Sequence, residues 1–417
     1  MKKVSVILAV ILLSSCAGQK SDWKSLFNGQ DLEGWTVMGS DATFEIDNGT
    51  VIGTNQGRQN TFLATNDVYS DFILELDVWV DPSMNSGLQF RSAQHENGRV
   101  YGYQAEIDPS ERAYSGGIYD EARRDWLYPL SLNQQASTAF KINDWNKYRI
   151  VAIGNTIRIW VNGICTAVME DDASAEGFIA LQVHGVGLEE DEGRQAKWRN
   201  VRVATENLEE KLWPLPADIY VMNLLTNELS DMEKEQGWEL IWNGQDMEGW
   251  KTTDEATVWS IQDGALTVGS GEGHLMSEEV FENYELSLLY QLTEGAEGGI
   301  GYQVNEGDGN FDAFSGQEFQ IADHAHLEAD NASHKQGALY GKIAPTNLSW
   351  VGMGERHYKR LGIWNHVRII VKDGQVEHWL NGFKLVAYSL PDHQPGAILL
   401  QNQGPGVHYK SLRIKRT

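Results

Sequence analysis

Thiols are almost missing from this chain: among 417 residues only Cys16 and Cys165 carry one. Cys16 falls in the leader considered below, so Cys165 stands alone in the folded part. A lone cysteine cannot staple a domain, and stability must come from buried core. Cys165 itself reads as a small apolar residue in a strand, not as a nucleophile. Positive charge is also scarce, with 33 Lys and Arg against 59 Asp and Glu, a net charge of −26. That balance argues against nucleic acid and anionic headgroups as partners. Long apolar runs are lacking too. The one candidate, residues 4–13, is shorter than the roughly 20 residues that span a bilayer as a helix. Neither half contains a long amphipathic helical pattern.

The apolar run is better understood as an address. It follows Lys2 and Lys3 and ends in Leu13-Ser-Ser-Cys16, which resembles a bacterial lipobox. The resemblance implies cleavage before Cys16 and lipidation of its thiol; a plain secretory signal with a chance cysteine is the alternative. Residues 1–22 are then a signal peptide and tether. The expected location is the cell envelope, as a periplasmic or surface-exposed lipoprotein that meets the membrane through its lipid anchor only.

What is present is repetition. Trp23-Lys-Ser-Leu-Phe-Asn-Gly-Gln-Asp-Leu-Glu-Gly-Trp35 returns as Trp238-Glu-Leu-Ile-Trp-Asn-Gly-Gln-Asp-Met-Glu-Gly-Trp250. The same order of landmarks follows each opening, so the chain reads as a tandem duplication. Both halves are strand-like, with short runs of β-branched and aromatic residues punctuated by Gly, Asn and Asp. Tyr148-Arg-Ile-Val-Ala-Ile153 turns through Gly154-Asn155 into Thr156-Ile-Arg-Ile-Trp-Val161, a hairpin. The expected class is all-β, two sandwiches or jelly rolls, spanning 23–205 and 237–417. Between them, 206–236 is expected to be a linker with a helix. Its Ile219, Met222, Leu225, Leu229 and Met232 recur every three or four residues.

The landmarks resemble a known family. The opening motif, Asn85-Ser-Gly-Leu-Gln-Phe-Arg91, Gly102-Tyr-Gln-Ala-Glu-Ile-Asp108, Ser115-Gly-Gly-Ile-Tyr119, Trp145-Asn146, Val161-Asn-Gly163, Leu181-Gln-Val-His-Gly185 and Trp198-Arg-Asn-Val-Arg202 look like the 3-keto-disaccharide hydrolase domain family. The resemblance implies concanavalin A-like jelly-roll β-sandwiches and action on sugars oxidised at C3, with an oligosaccharide or glycoside as substrate.

Strand parity selects candidates, because residues two apart share a face. Gln104, Glu106 and Asp108 oppose Tyr103, Ala105 and Ile107. Gln89 and Arg91 oppose Leu88 and Phe90. Gln182 and His184 oppose Leu181 and Val183. If these strands are neighbours, they form a polar groove holding Arg91, Glu106, Asp108 and His184. An antiparallel sheet with one solvated face alternates in the same way without any function. The loop Ser115-Gly-Gly-Ile-Tyr-Asp-Glu-Ala-Arg-Arg-Asp-Trp126 adds Tyr119, Arg123, Arg124 and Trp126 as binding candidates, against the alternative of a salt-bridged surface turn.

Comparing the copies, Arg91 aligns with Gln303, Gln89 with Gly301 and His184 with Gln403, while Gln182 is kept as Gln401. The second copy offers its own cluster: Glu318, Gln320, Asp323, His324, His326 and Tyr340. The Asp323–His326 stretch admits a divalent metal. Catalysis is expected in the first copy, and the second is read as a degenerate binding copy or a second active site. A 3-ketone acidifies the C2 proton. The implied chemistry is therefore proton abstraction by Glu106 or His184, an oxyanion held by Arg91 or Arg124, departure of the C1 group assisted by Asp108 or Tyr119, and water addition. Two readings compete: an ordinary two-carboxylate glycosidase using Glu106 and Asp108, and a non-catalytic carbohydrate-binding protein.

Overall fold

The computed structural model describes residues 22–187, 191–252, 258–268, 273–305, 316–323, 331–346, 358–404 and 406–417. The leader with Cys16 lies outside them. Each half is a β-sandwich. In the first, a seven-stranded sheet runs in the order Asp125–Tyr128, Ile118–Glu121, Val100–Ile107, Ser86–Gln94, Phe178–Val183, Thr61–Thr65, Trp35–Met38. It packs on a nine-stranded sheet centred on Phe72–Val80 and Asn146–Ile153. The second half repeats this, with sheets of eight and five strands among the described residues.

Alternation builds the core. Leu63, Leu181, Leu88, Ala105 and Ile118 lie in one row of cross-strand partners, all buried, facing Leu74, Leu76 and Ile150 of the other sheet. Each fully buried Leu or Ile contributes about 1.5–3 kcal/mol, so register is strongly fixed: a one-residue slip would turn the row to solvent. The turns agree with their sequences. Asn162-Gly163 joins Val161 to Ile164 with φ of +51° and +83°, and Asn381-Gly382 repeats it at +49° and +86°. Positive φ at both central residues is what the two-residue hairpin with right-handed twist requires.

The linker is less helical than its spacing suggests. It holds a single turn of 3-10 helix at Glu209–Lys211 and a short α-helix at Asp231–Glu235, started by a capping box between Ser230 and Glu233. Met222–Asn223 instead adds a parallel strand to Ile164–Glu170 of the first sandwich. Ile219, Val221 and Leu225 are buried from extended chain, because side-chain amides take over the turning: Asn223 accepts from the Leu225 amide, and Asn227 and Ser411 exchange hydrogen bonds. The sandwiches touch directly, through Ser131 Oγ donating to Gly382 O at 2.6 Å, and the linker touches the second through Tyr220 Oη, 3.2 Å from His366 Nε2.

Cys165 is a free, buried thiol that burial pushes up to about 12.

Candidate functional site

The outer face of the seven-stranded sheet carries two rows of partners. One runs Phe62, Gln182, Gly87, Glu106; the other runs Ala180, Gln89, Gln104, Tyr119, Trp126. The polar residues of both rows are joined. Ser92 Oγ donates to Gln89, Gln89 Nε2 to Gln104 at 2.8 Å, Gln104 Nε2 to Glu106 Oε2 at 3.0 Å, and Asn85 Nδ2 to Glu106 Oε1 at 2.6 Å. Gly87 makes room, since a Cβ there would stand 2.2 Å from the Gln104 side chain. Gln182 is fully buried, with neither amide atom partnered in the structure. A buried amide without partners costs about 1–3 kcal/mol, which a bound hydroxyl or water would recover.

Glu106 is 4 % exposed. Burial pushes its carboxyl up to about 7, reinforced by Asp108 and opposed by Arg112 and the two amide donors. Asp108 behaves oppositely. Burial raises it, but the Arg112 guanidinium and the Ser110 hydrogen bonds outweigh that and hold it below the usual range. Two carboxyls two residues apart therefore differ in protonation near neutrality, which divides acid from base work.

Arg112 is the cation of this groove. Its Nε donates to Asp108 Oδ2 at 2.7 Å, and Nη2 lies 3.4 Å from Glu106 Oε1. Its other side is aromatic: the guanidinium carbon sits 5.2 Å from the Tyr114 ring centre and 5.1 Å from that of Trp126. Trp126 in turn meets Tyr119 edge-on at 5.4 Å, and Tyr119 Oη donates to Asp125 at 3.1 Å. His184, half-buried at the end of Phe178–Val183, has Nδ1 2.6 Å from Gly185 O. Burial lowers its proton affinity, the Gly185 carbonyl partly restores it, and the nearby Arg112 charge lowers it further.

Three arginines chosen from the sequence lie elsewhere. Arg91 does not share the face of Gln89. The strand bulges after Phe90, where Arg91 takes φ of +45°. Its guanidinium is instead consumed at one end of the sandwich, with Nε to Ser70 O and Nη1 to Gly154 O, each 2.8 Å, and Nη2 3.1 Å from Asp71. Gly177 permits the bulge, because a Cβ there would be 2.4 Å from the Arg91 carbonyl carbon. The second copy bulges at Gln303 (φ +51°) against Gly396, so the feature belongs to the fold. Arg123 and Arg124 also leave the groove. Both pair with the buried Asp120, at 2.8 and 2.5 Å, and Arg124 pairs again with Asp171 at 2.5 Å, itself bonded by Tyr103 Oη. The salt-bridged alternative describes these two.

In the second copy the same face exchanges acid for amide. Gly299 pairs with Gln320 and Gln401, and Glu318 lies over Gly299, its Oε1 2.3 Å from where a Cβ would be. Gln320 Nε2 donates to Glu297 Oε1 at 3.1 Å. Burial, then the charge of Glu297, pushes Glu318 up to about 7. Tyr340 is 40 % exposed and stacks on His334 with ring centres 4.7 Å apart. Asp323 accepts from the Gly295 amide at 2.9 Å. His324 and His326 lie outside the described residues. Among the described residues no three His, Cys, Asp or Glu side chains converge as a metal set.

The signature of the 3-keto-alpha-glucoside-1,2-lyase-like domain covers residues 22–204 and, again, 237–415. The chain belongs to this family. Over 238 residues it is 28 % identical to the 3-keto-disaccharide hydrolase of Bacteroides thetaiotaomicron, covering 43 % of this chain and 78 % of that one. A Parabacteroides distasonis protein described as a candidate glycosyl hydrolase is 24 % identical over 46 % of this chain and all of its own, with a TM-score of 0.40. The carbohydrate-binding module CBM66 of Bacillus subtilis shares 17 % identity over 41 % of this chain and 96 % of its own, at a TM-score of 0.31.

Within the first family domain, sequence reasoning missed Arg112, Asn85 and Tyr114. Asn85 was visible as the residue before a strand that already supplied Gln89. Arg112 stands four residues after Asp108, across a turn closed by Ser110; that spacing in an acidic chain was the available signal.

Proposed function

We propose that the first family domain cleaves 3-keto-glycosides, with Glu106 and Arg112 as the working pair. The observation that carries this is a buried carboxyl of raised proton affinity placed beside a guanidinium that is itself oriented by an ionised neighbour. Ionised Glu106 removes the C2 proton, and the C–H electron pair becomes the enolate C2=C3–O⁻. Arg112 stabilises the enolate oxygen, while Asp108 holds Arg112 in place. The enolate re-forms the ketone as the C1–O bond breaks, leaving a 1,2-ene. The departing oxygen takes a proton, from Glu106 or water. Addition of water at C1 completes a net hydrolysis. The partly exposed rings of Tyr114 and Tyr119 suit the faces of sugar rings.

The test is incubation of the intact protein with a 3-keto-glucoside and with the unoxidised glucoside. Release of the aglycone and the ultraviolet absorbance of the enone are followed. Turnover of the keto form alone, lost in Glu106→Gln and Arg112→Met, supports the reading. Equal cleavage of the unoxidised sugar means an ordinary glycosidase instead.

A second reading applies to the second family domain, which we infer binds sugar without this chemistry. The acid–amide cluster of Glu297, Glu318, Gln320 and Gln401 matches the first groove in position, while Gln320 stands where the first copy has Glu106 and Gln403 where it has His184. The leader supports secretion with a lipid on Cys16; labelled palmitate entering the wild type and not Cys16→Ser tests it.

A further inference from the structure

Arg112 sits in the loop after Val100–Ile107, and side chains on two sides orient its guanidinium. On the acid side those are Glu106 and Asp108. On the other side it is clasped between Tyr114 and Trp126, whose rings meet edge-on at 5.1 Å. Both halves of that clasp lean on the second sandwich. Lys359, 9 % exposed, donates through Nζ to Trp126 O at 2.5 Å and to Arg124 O. Phe383, at the start of Phe383–Ser389, places its ring 6.4 Å from Tyr114. A buried ammonium satisfied by carbonyls of another domain is costly to leave unmade, so this contact is held firmly.

We propose that the second copy completes the active site of the first, with Lys359 and Phe383 as positioning residues that set where Arg112 stands against Glu106. The duplication then works as one unit: the rear copy fixes the geometry of Arg112 in the front groove. This rests on the reading that Glu106 and Arg112 are the working pair. The measurement is therefore one that needs no turnover.

The consequence is electrostatic. The groups facing Glu106 are Arg112 and Asp108 on its own strand and loop, the Tyr148 hydroxyl from the opposite sheet, which donates to Glu106 O at 3.0 Å, and His184 across Arg112. Of these charged and titratable groups, Arg112 is the one that favours the ionised carboxylate, beside the neutral Asn85 and Gln104 amides that donate to it. An opposite charge within hydrogen-bonding reach displaces a carboxyl by about 1–3 pH units. Releasing Arg112 therefore lets the Glu106 midpoint rise.

The experiment uses the full chain with ¹³C-labelled glutamate. The Glu106 resonance, assigned by its loss in Glu106→Gln, is titrated in the wild type, Lys359→Met, Phe383→Leu and Phe383→Ala. Tyr220→Phe, which removes a hydrogen bond from the linker to His366 of the second sandwich and none to Arg112 or its clasp, is the control. The expected result is an upward move of about one pH unit in Lys359→Met and Phe383→Ala, a smaller one in Phe383→Leu, restoration by Lys359→Arg, and none in the control. In turnover assays the same variants raise the pH of the acidic limb. A merely supportive role would lower the melting temperature and leave the titration in place. An unmoved midpoint in folded Lys359→Met and Phe383→Leu, or an equal move in Tyr220→Phe, overturns the proposal.

Discussion

Replacing Glu106 by Gln should make the protein inactive and, above neutral pH, more stable. The folded-state carboxyl titrates near 7 against an ordinary 4.5. Below pH 4.5 both folded and unfolded chains hold the neutral acid, and the group is indifferent. Between 4.5 and 7 the unfolded chain ionises while the folded one stays protonated, so stability falls as pH rises. Above 7 the loss is complete. At about 1.4 kcal/mol per pH unit, the separation corresponds to about 3 kcal/mol. Gln removes this dependence. It also presents an amide nitrogen toward Gln104 or Asn85, which already donate to Glu106, losing one hydrogen bond worth about 1 kcal/mol. The variant should then be less stable than the wild type by about 1 kcal/mol at pH 4.5 and more stable by about 2 kcal/mol at pH 8. Urea unfolding of both proteins at the two pH values reads this directly, because every other titrating group cancels in the difference. Turnover should fall by about 10²–10⁴. Stability differences that stay parallel across pH would refute the claim that Glu106 is held at a price in folding energy.

Arg91→Met should destabilise by about 2–4 kcal/mol in urea, since several acceptors lose their donor, while the folded fraction keeps kcat within about twofold; a selective loss of kcat would return Arg91 to the chemistry. Gln182→Met removes an amide without partners, so stability should hold within about 1 kcal/mol while sugar affinity measured by calorimetry weakens. Cys165 should resist thiol-specific labelling at pH 8 until urea unfolds the chain, because burial pushes the thiol up to about 12; rapid labelling of folded protein would contradict that.

The sequence was most readable where alternation is unbroken. Gln104, Glu106 and Gln182 face outward because Ala105, Ile107, Leu181 and Val183 must face the core. Parity failed at Arg91 because a bulge adds a residue, and what permits the bulge, Gly177, lies far away in sequence on the neighbouring chain segment. The linker misled for a related reason. Apolar residues three or four apart suit a helix, but extended chain turned by Asn223 and Asn227 buries them as well. Arg112 escaped because its spacing from Asp108 is a slight local mark; its meaning comes from Asp108 on one side and from Tyr114 and Trp126 on the other. The arginines after Tyr119 drew attention by density, yet Asp120 and Asp171 are buried and need cations, which is where Arg123 and Arg124 go.

The linker's polar ties have a consequence for the order of assembly. Glu233, buried at the short helix, pairs with Arg413 at 2.9 Å, and Arg413 also donates to Asn223 O. Both acceptors lie just past mid-chain, whereas Val407–Arg416 is the final strand of the second sandwich. A nascent front half can therefore close its own sheets on the ribosome, but its connection to the rear half stays undocked, with a carboxylate awaiting its counter-ion, until nearly 180 further residues have emerged. Arg413 thus acts as a latch that reports the rear half has been made.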